Sequence, residues 1–122
     1  MAKHMETGKK GETFAAGWLS ANGYTLLHRN WRFRKCEIDI VAVKNGKLHL
    51  IEVKTSTNLR FGFPEERIRK KKALQMMRSG AYFLECHPEW EHVQYDILSL
   101  LLVPGQTASI FLIEDVFWHW PD

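Results

Sequence analysis

The chain has 122 residues, of which 45% are hydrophobic and 25% are charged, and its formal net charge is +3. This length suits one hydrophobic core, so we expect a single domain over residues 1–122. No apolar run approaches the length of a membrane span, and the polar N-terminus does not resemble a secretory signal. We therefore expect a cytoplasmic protein with no membrane contact.

The first predicted elements are a helix over residues 10–22 and a strand over residues 24–33. Apolar residues recur at helical spacing in the first segment, and Gly23 follows where a left-handed residue would end the helix. Apolar and polar side chains alternate at the start of the second segment, which is typical of a strand.

A hairpin over residues 36–55 comes next, because Asn45-Gly46 is the strongest short hairpin signal that a sequence carries. A two-residue turn at this point fixes which residues face each other across the two strands. Asp39 then faces Glu52, and Glu37 faces Lys54. Directly opposed side chains share one face of a sheet, so these four charged groups should gather at one end of one face.

The opposed carboxylates of Asp39 and Glu52 would repel each other. At roughly 5 Å and an effective dielectric of about 20, the repulsion is roughly 3 kcal/mol before screening. We expect a divalent cation, Mg²⁺ or Mn²⁺, to offset it, since hard carboxylate oxygens suit these ions. The carbonyl of Val53 is a further candidate ligand. The alternative is that both carboxylates face solvent at the strand ends.

Both faces of the hairpin are otherwise apolar, with Ile38, Ile40 and Ile51 expected on the face opposite Asp39. A sheet that is covered on both sides implies helices above and below it. The sequence therefore predicts an α/β fold with a central sheet flanked by helices.

The second half of the chain begins with a polar loop over residues 56–64, which we expect to move and to close over a substrate. A helix over residues 64–85 follows, and strands are predicted over residues 92–103 and 108–113. The aromatic tail, residues 116–120, is expected to cover the core or to form a homodimer contact, and a platform for stacking bases is the alternative. The buried stripe expected for the second helix is Ile68, Ala73, Leu74, Met77, Ala81 and Leu84.

Basic residues bracket the acidic cluster along the chain. They are Arg29, Arg32, Arg34 and Lys35 before it and Arg67, Arg69, Lys70, Lys71 and Lys72 after it. Such bracketing suits a polyanionic substrate whose phosphates need neutralising on both sides of a metal site. Ordinary solvation of a basic helix start is the alternative.

Asp39 followed on the next strand by Glu52-Val53-Lys54 resembles the PD-(D/E)xK nuclease superfamily. A more specific resemblance, over about residues 8–97, is to the YraN-like family of small uncharacterised bacterial proteins. The resemblance implies a restriction-endonuclease-like core with a central mixed sheet, similar to that of archaeal Holliday junction resolvases. The motifs that carry it are Gly8, Gly11-Glu12, Gly23-Tyr24, Asn30-Trp31-Arg32, Glu37-Ile38-Asp39, Glu52-Val53-Lys54, Phe61-Gly62, Lys72 and Tyr95-Asp96.

The resemblance places Glu12 at the site as an added metal or water ligand, whereas its alternative role is to complement the helix dipole. Lys54 is expected to orient or deprotonate an attacking water, and the alternative is an ion pair with Glu37. Glu37 is an outer contributor to the site, with surface ion pairing as the alternative.

Arg69, Lys71 and Lys72 are the residues expected to contact substrate phosphates. Together these features predict a nuclease that depends on Mg²⁺ or Mn²⁺ and acts on DNA, with branched or flapped DNA among its candidate substrates. RNA is the alternative substrate. The alternative functions are a non-catalytic nucleic-acid-binding module and a protein-interaction adaptor built on the aromatic tail.

Overall fold

The computed structural model describes residues 2–57 and 70–117, with the side chains from residue 8 onward within them. Within these residues, two helices and five strands follow one another. They are α1 (Ala2–Ala21), β1 (Thr25–Phe33), β2 (Cys36–Lys44), β3 (Lys47–Ser56), α2 (Lys70–Cys86), β4 (Gln94–Leu101) and β5 (Ser109–Ile113). Within these residues no helix is both long enough and apolar enough to cross a membrane.

The five strands form one sheet in the order β1-β2-β3-β4-β5. Strands β3 and β4 run parallel, and the other neighbours run antiparallel. The parallel pair needs a crossover connection, and α2 lies within it. The mixed sheet with a helix on each face confirms the predicted α/β fold.

Two turns follow from residues that tolerate positive φ. Asn45 and Gly46 have φ of 52° and 74°, which is the geometry that a two-residue hairpin requires. Gly23 has φ of 89°, and the N–H of Tyr24 donates to the carbonyl of Leu19 at 3.0 Å, which closes α1. Both predictions from the sequence are confirmed.

Helix α1 covers one face of the sheet. Its buried Ala15, Ala16 and Leu19 pack against a cluster that includes Ile40 and Ile51. Close packing near the start of this face depends on a residue without a side chain, since a Cβ at Gly11 would overlap the side chain of Thr55 on β3.

Helix α2 covers the other face, where Phe83 is fully buried among residues of β2 and β3. The buried side of the helix differs from the predicted stripe, because Leu74 is 52% exposed and Met77 is 44% exposed. Three small residues and two large ones are buried in their place. The buried residues of α2 are Ala73, Met76, Ser79, Gly80 and Phe83. The predicted Ile68 lies outside the described residues.

At the sheet end that contains the Asn45-Gly46 turn, Asp96 is a fully buried carboxylate. Its Oδ2 lies 2.7 Å from Nδ1 of His49 on β3. Its Oδ1 accepts hydrogen bonds from the side chain of Gln94 at 3.0 Å and from the backbone N–H of Asp115 at 2.8 Å. Asp96 therefore ties β3, β4 and the segment after β5 together, and its contacts account for the Tyr95-Asp96 motif structurally.

Candidate active site

The β2–β3 ladder confirms the predicted register from Lys44 and Lys47 to Ile40 and Ile51, where the pairing of the two strands ends. The next hydrogen-bonded pair would have been Ile38 and Val53, since such pairs alternate along an antiparallel ladder. The N–H of Val53 instead donates to Oδ2 of Asp39 at 2.9 Å. A side-chain carboxylate has taken the place of a backbone partner.

This substitution opens a gap between β2 and β3 beyond Ile40. The N–H and C=O of one strand residue point to the same side, so the carbonyl of Val53 points into the gap that holds the Asp39 carboxylate. The predicted opposed pairs Asp39–Glu52 and Glu37–Lys54 are not part of the described ladder. The ladder ends before these two levels, so both pairings stay predictions, although the charge of Glu52 acts on Asp39.

Strands β1 and β2 also rotate near this level, so that their side chains change from one face of the sheet to the other. His28 and Trp31 both contact Phe83 on the α2 side, although residues three apart in a regular strand point to opposite sides. Ile38 and Val41 share the α2 side in the same way. The expectation that Ile38 lies with Ile40 was therefore wrong, since β2 rotates between these two residues.

The Asp39 carboxylate is held in an environment that disfavours its charge. Burial is the largest cause, and the neighbouring charge of Glu52 is the second, while the hydrogen bond from Val53 opposes them. The charge of Glu12 raises the pKa further, and the ammonium group of Lys72 lowers it. Together these effects raise the pKa of Asp39 from 3.8 to about 7.

Two lysines approach Glu52, whose side chain is only 13% exposed. The Nζ atom of Lys72, on α2, lies 2.8 Å from Oε1 of Glu52, and the Nζ atom of Lys54 lies 3.6 Å from the same oxygen. No described residue bonds to Oε2 of Glu52 or to Oδ1 of Asp39. The site therefore combines close carboxylates with two cations.

Glu12 reaches the site from α1, as the family resemblance implied, and its charge acts on Asp39. The close approach of Gly11 to Thr55 brings this part of the helix against β3. With its side-chain nitrogen turned towards the helix, Asn30 donates to the two carboxylate oxygens of Glu12 at 3.2 and 3.3 Å.

Asn30 is a residue of the site that the sequence prediction missed. The available signal was the asparagine of the Asn30-Trp31-Arg32 motif within a predicted strand, since asparagine is depleted in strands and tolerates positive φ.

The other predicted residues lie further from the carboxylates or outside the described chain. Glu37 pairs with Arg32 at 3.5 Å, which is the surface ion pairing given as its alternative role, and Lys54 approaches Glu52 instead of Glu37. Lys71 is exposed on the first turn of α2, and Arg69 lies outside the described residues, as do residues 58–64 of the predicted mobile loop. Within residues 2–57 and 70–117, no group of three or more His, Cys, Asp or Glu side chains is arranged to hold a metal ion.

The fold is similar to that of Hjc, a Holliday junction resolvase from Archaeoglobus fulgidus. The TM-score is 0.50 with 17% sequence identity, over 84% of this chain and 74% of the resolvase. At this identity the likeness establishes the fold alone. It confirms the predicted restriction-endonuclease-like core.

Sequence comparison identifies the family. Residues 11–100 match the model of the uncharacterised protein family UPF0102. A UPF0102 protein from Phocaeicola vulgatus is 43% identical over 120 residues, which is 97% of each chain. Another, from Flavobacterium johnsoniae, is 35% identical over 124 residues, covering 98% of this chain and all of that one. These matches confirm the family resemblance found in the motifs, and the chain belongs to the uncharacterised protein family UPF0102.

Proposed function

We propose that the protein is a metal-dependent nuclease that hydrolyses phosphodiester bonds in DNA, with branched or otherwise structured DNA as its candidate substrates. The observation that carries the proposal is the crowding of acidic groups around Asp39, whose pKa is raised by burial and by the charges of Glu52 and Glu12. A carboxylate that is costly to ionise in a cleft is a candidate for function. The fold shared with a Holliday junction resolvase supports the same substrate class.

The residues that would hold Mg²⁺ or Mn²⁺ are Asp39 and Glu52, with the carbonyl of Val53 as a third oxygen donor. All three are hard oxygen ligands, which suits these ions, and substrate phosphate and water would complete the shell. Glu12 is held on Asn30, so its proposed role is to bind a water beside the ion rather than the ion itself. When bound, the ion would polarise the phosphoryl group and lower the pKa of a water.

The two lysines have separate proposed roles. Lys54 extends from the strand that carries Glu52, so it would orient the attacking water or take its proton. Lys72 comes from α2 and not from the strand that carries Glu52, so it would release that carboxylate and neutralise a substrate phosphate. Lys71 and Arg69 would contact phosphates further along the strand, which gives sequence-independent affinity.

The second candidate function is a non-catalytic nucleic-acid-binding module. It is favoured by the ion pair between Lys72 and Glu52, because an ammonium group 2.8 Å from the carboxylate already satisfies part of its charge. It is also consistent with the absence, from the part of the chain that the structure describes, of a ready cluster of three metal-binding side chains.

A cleavage screen separates the two candidates. Labelled four-way junctions, flaps, duplexes and single strands are incubated with the protein in Mn²⁺, in Mg²⁺ and in EDTA, and binding is measured on the same substrates. The nuclease predicts metal-dependent products that Asp39→Asn abolishes. Binding that falls steeply with salt, without products in either metal, would support the binding module. Absence of both binding and cleavage would reject both functions.

A further inference from the structure

We propose that Asn30 is a positioning residue, whose side-chain amide holds the carboxylate of Glu12 in place beside Asp39. This inference rests on the proposed nuclease function and assigns a part of its machinery that the sequence prediction did not include. It is carried by the backbone of Asn30, by its place in the sheet and by the contacts of its amide.

The backbone of Asn30 is in the left-handed region, with φ of 54° in the middle of strand β1. Most residues pay about 1–2 kcal/mol for this conformation, and asparagine and glycine tolerate it best. A strained conformation in a strand persists only where the surrounding structure enforces it, and such positions cluster at functional sites.

The place of Asn30 in the sheet is opposite Asp39. Arg29 pairs with Ile40 and Trp31 pairs with Ile38, but the described ladder has no pair between Asn30 and Asp39. The two residues therefore occupy the one level at which both strands rotate. The left-handed turn that moves Trp31 to the α2 side also leaves Asn30 at the boundary between β1 and α1.

The contacts of the Asn30 amide position the carboxylate of Glu12 and do not only support strand β1. With its nitrogen turned towards Glu12, the orientation that avoids placing oxygen against oxygen, the amide donates to both carboxylate oxygens at 3.2 and 3.3 Å. Next to it, Arg29 donates to the hydroxyl of Thr13 at 3.4 Å. A glutamate side chain has three rotatable bonds, so without such a partner its carboxylate would sample solvent. One donor group shared by both oxygens holds the carboxylate on the side of the helix that faces Asp39.

Stability alone does not account for this arrangement. Asn30 is exposed, and exposed polar contacts contribute little to folding, about 1 kcal/mol or less, which does no more than offset the cost of the left-handed backbone. The consequence of the contact is local: it sets where a third negative charge lies relative to Asp39. That charge is close enough to act on Asp39.

The decisive variant is Asn30→Gly, because glycine adopts positive φ without strain and removes only the amide. We expect Asn30→Gly to remain folded. Its KM for DNA should be unchanged, whereas its kcat should be about 10-fold to 100-fold lower, the range seen when a supporting hydrogen bond is lost. Asn30→Asp keeps the side-chain shape but replaces the donor by a like charge, so its kcat should fall further.

A double-mutant cycle with Glu12→Gln tests whether Asn30 acts through Glu12. The double variant Asn30→Gly with Glu12→Gln should cleave no more slowly than Glu12→Gln alone. Independent losses that multiply, or full activity of Asn30→Gly, would overturn the proposal.

Crystal structures of the wild type and Asn30→Gly decide the question without any cleavage. The proposal requires an ordered Glu12 carboxylate in the wild type and a displaced or disordered one in the variant. An unmoved carboxylate would reject the positioning role. A wild type that fails to cut any substrate would instead reject the nuclease function, and the two failures are therefore distinguishable.

Discussion

Replacing Asp39 by asparagine removes a charge that the fold itself disfavours. The amide oxygen of asparagine can still accept the hydrogen bond from the N–H of Val53, so the local geometry should persist. What changes is the free energy of ionisation. The pKa of Asp39 is raised from 3.8 to about 7, a difference of about 3 pH units, and each unit corresponds to about 1.4 kcal/mol.

The sign of the pH dependence follows from the direction of the shift. A carboxyl with a raised pKa in the folded state destabilises the fold wherever it must ionise, so the full penalty of about 4 kcal/mol applies above about pH 7. The penalty declines as the pH falls, because the folded protein takes up a proton, and it disappears below about pH 4. Asp39→Asn carries no such penalty at any pH.

We therefore expect Asp39→Asn to be more stable than the wild type at pH 8.5, by up to about 4 kcal/mol. The gap should shrink to less than about 2 kcal/mol at pH 5. Urea unfolding across this range measures it directly. Glu37→Gln is the matched control on the same strand, since Glu37 is exposed and paired only with Arg32 among the described residues, and its effect should stay within about 0.5 kcal/mol at both pH values.

The same proteins test the metal. Mn²⁺ at 100 times its Kd should stabilise the wild type by about 2.7 kcal/mol, and this gain should be lost in Asp39→Asn. A stability gap that does not change with pH would refute the electrostatic reasoning. A gain from Mn²⁺ that Asp39→Asn retains in full would place the metal elsewhere.

Three further substitutions separate the roles of neighbouring residues. Lys54→Ala should keep the stabilisation by Mn²⁺ in a thermal-shift assay but lower kcat by about 100-fold or more, since the lost group acts on the water. An unchanged kcat would show that Lys54 takes no part in the chemistry. Lys72→Ala should melt at a lower temperature without metal, yet Mn²⁺ should stabilise it more, because the ammonium group no longer competes with the ion for Glu52. An unchanged stabilisation by Mn²⁺ would show that Lys72 and the ion do not compete. Gly80→Ala should destabilise the fold by about 1–3 kcal/mol in urea, because its Cβ would overlap a tyrosine ring, whereas the open Gly17→Ala should not destabilise it.

Local rules predicted the parts of the fold that depend on neighbours in the chain. Asn45-Gly46 fixes its turn through backbone sterics, so the register as far as Ile40 and Ile51 followed without tertiary information. Gly23 likewise ended α1 where its sequence position indicated. The site could be predicted for the same reason, because this register brings Asp39 and Glu52 to the same level of the sheet.

Tertiary contacts decided the parts that the sequence did not predict. Apolar spacing favoured Leu74 and Met77 for the buried side of α2, but both are exposed. The close approach of the helix to Tyr95 at Gly80 is a tertiary contact that this spacing does not indicate. The pair between Lys72 and Glu52 joins α2 to β3, and no local pattern specifies such a contact. The divergence of β2 from β3 could not be predicted from the sequence either, because it depends on how Trp31 and Ile38 pack on the α2 side of the sheet.

That divergence connects the core to the site. An unbroken ladder would have paired Val53 with Ile38 through two backbone hydrogen bonds, worth about 1 kcal/mol each, and would have left Asp39 on an ordinary strand face. The rotation loses those bonds but buries Ile38 and brings Trp31 against Phe83, and burying one large apolar side chain contributes about 1.5–3 kcal/mol. Apolar packing therefore offsets the lost pairing. The same rotation presents the N–H of Val53 to Asp39, so the packing that stabilises the α2 layer also builds the acidic gap.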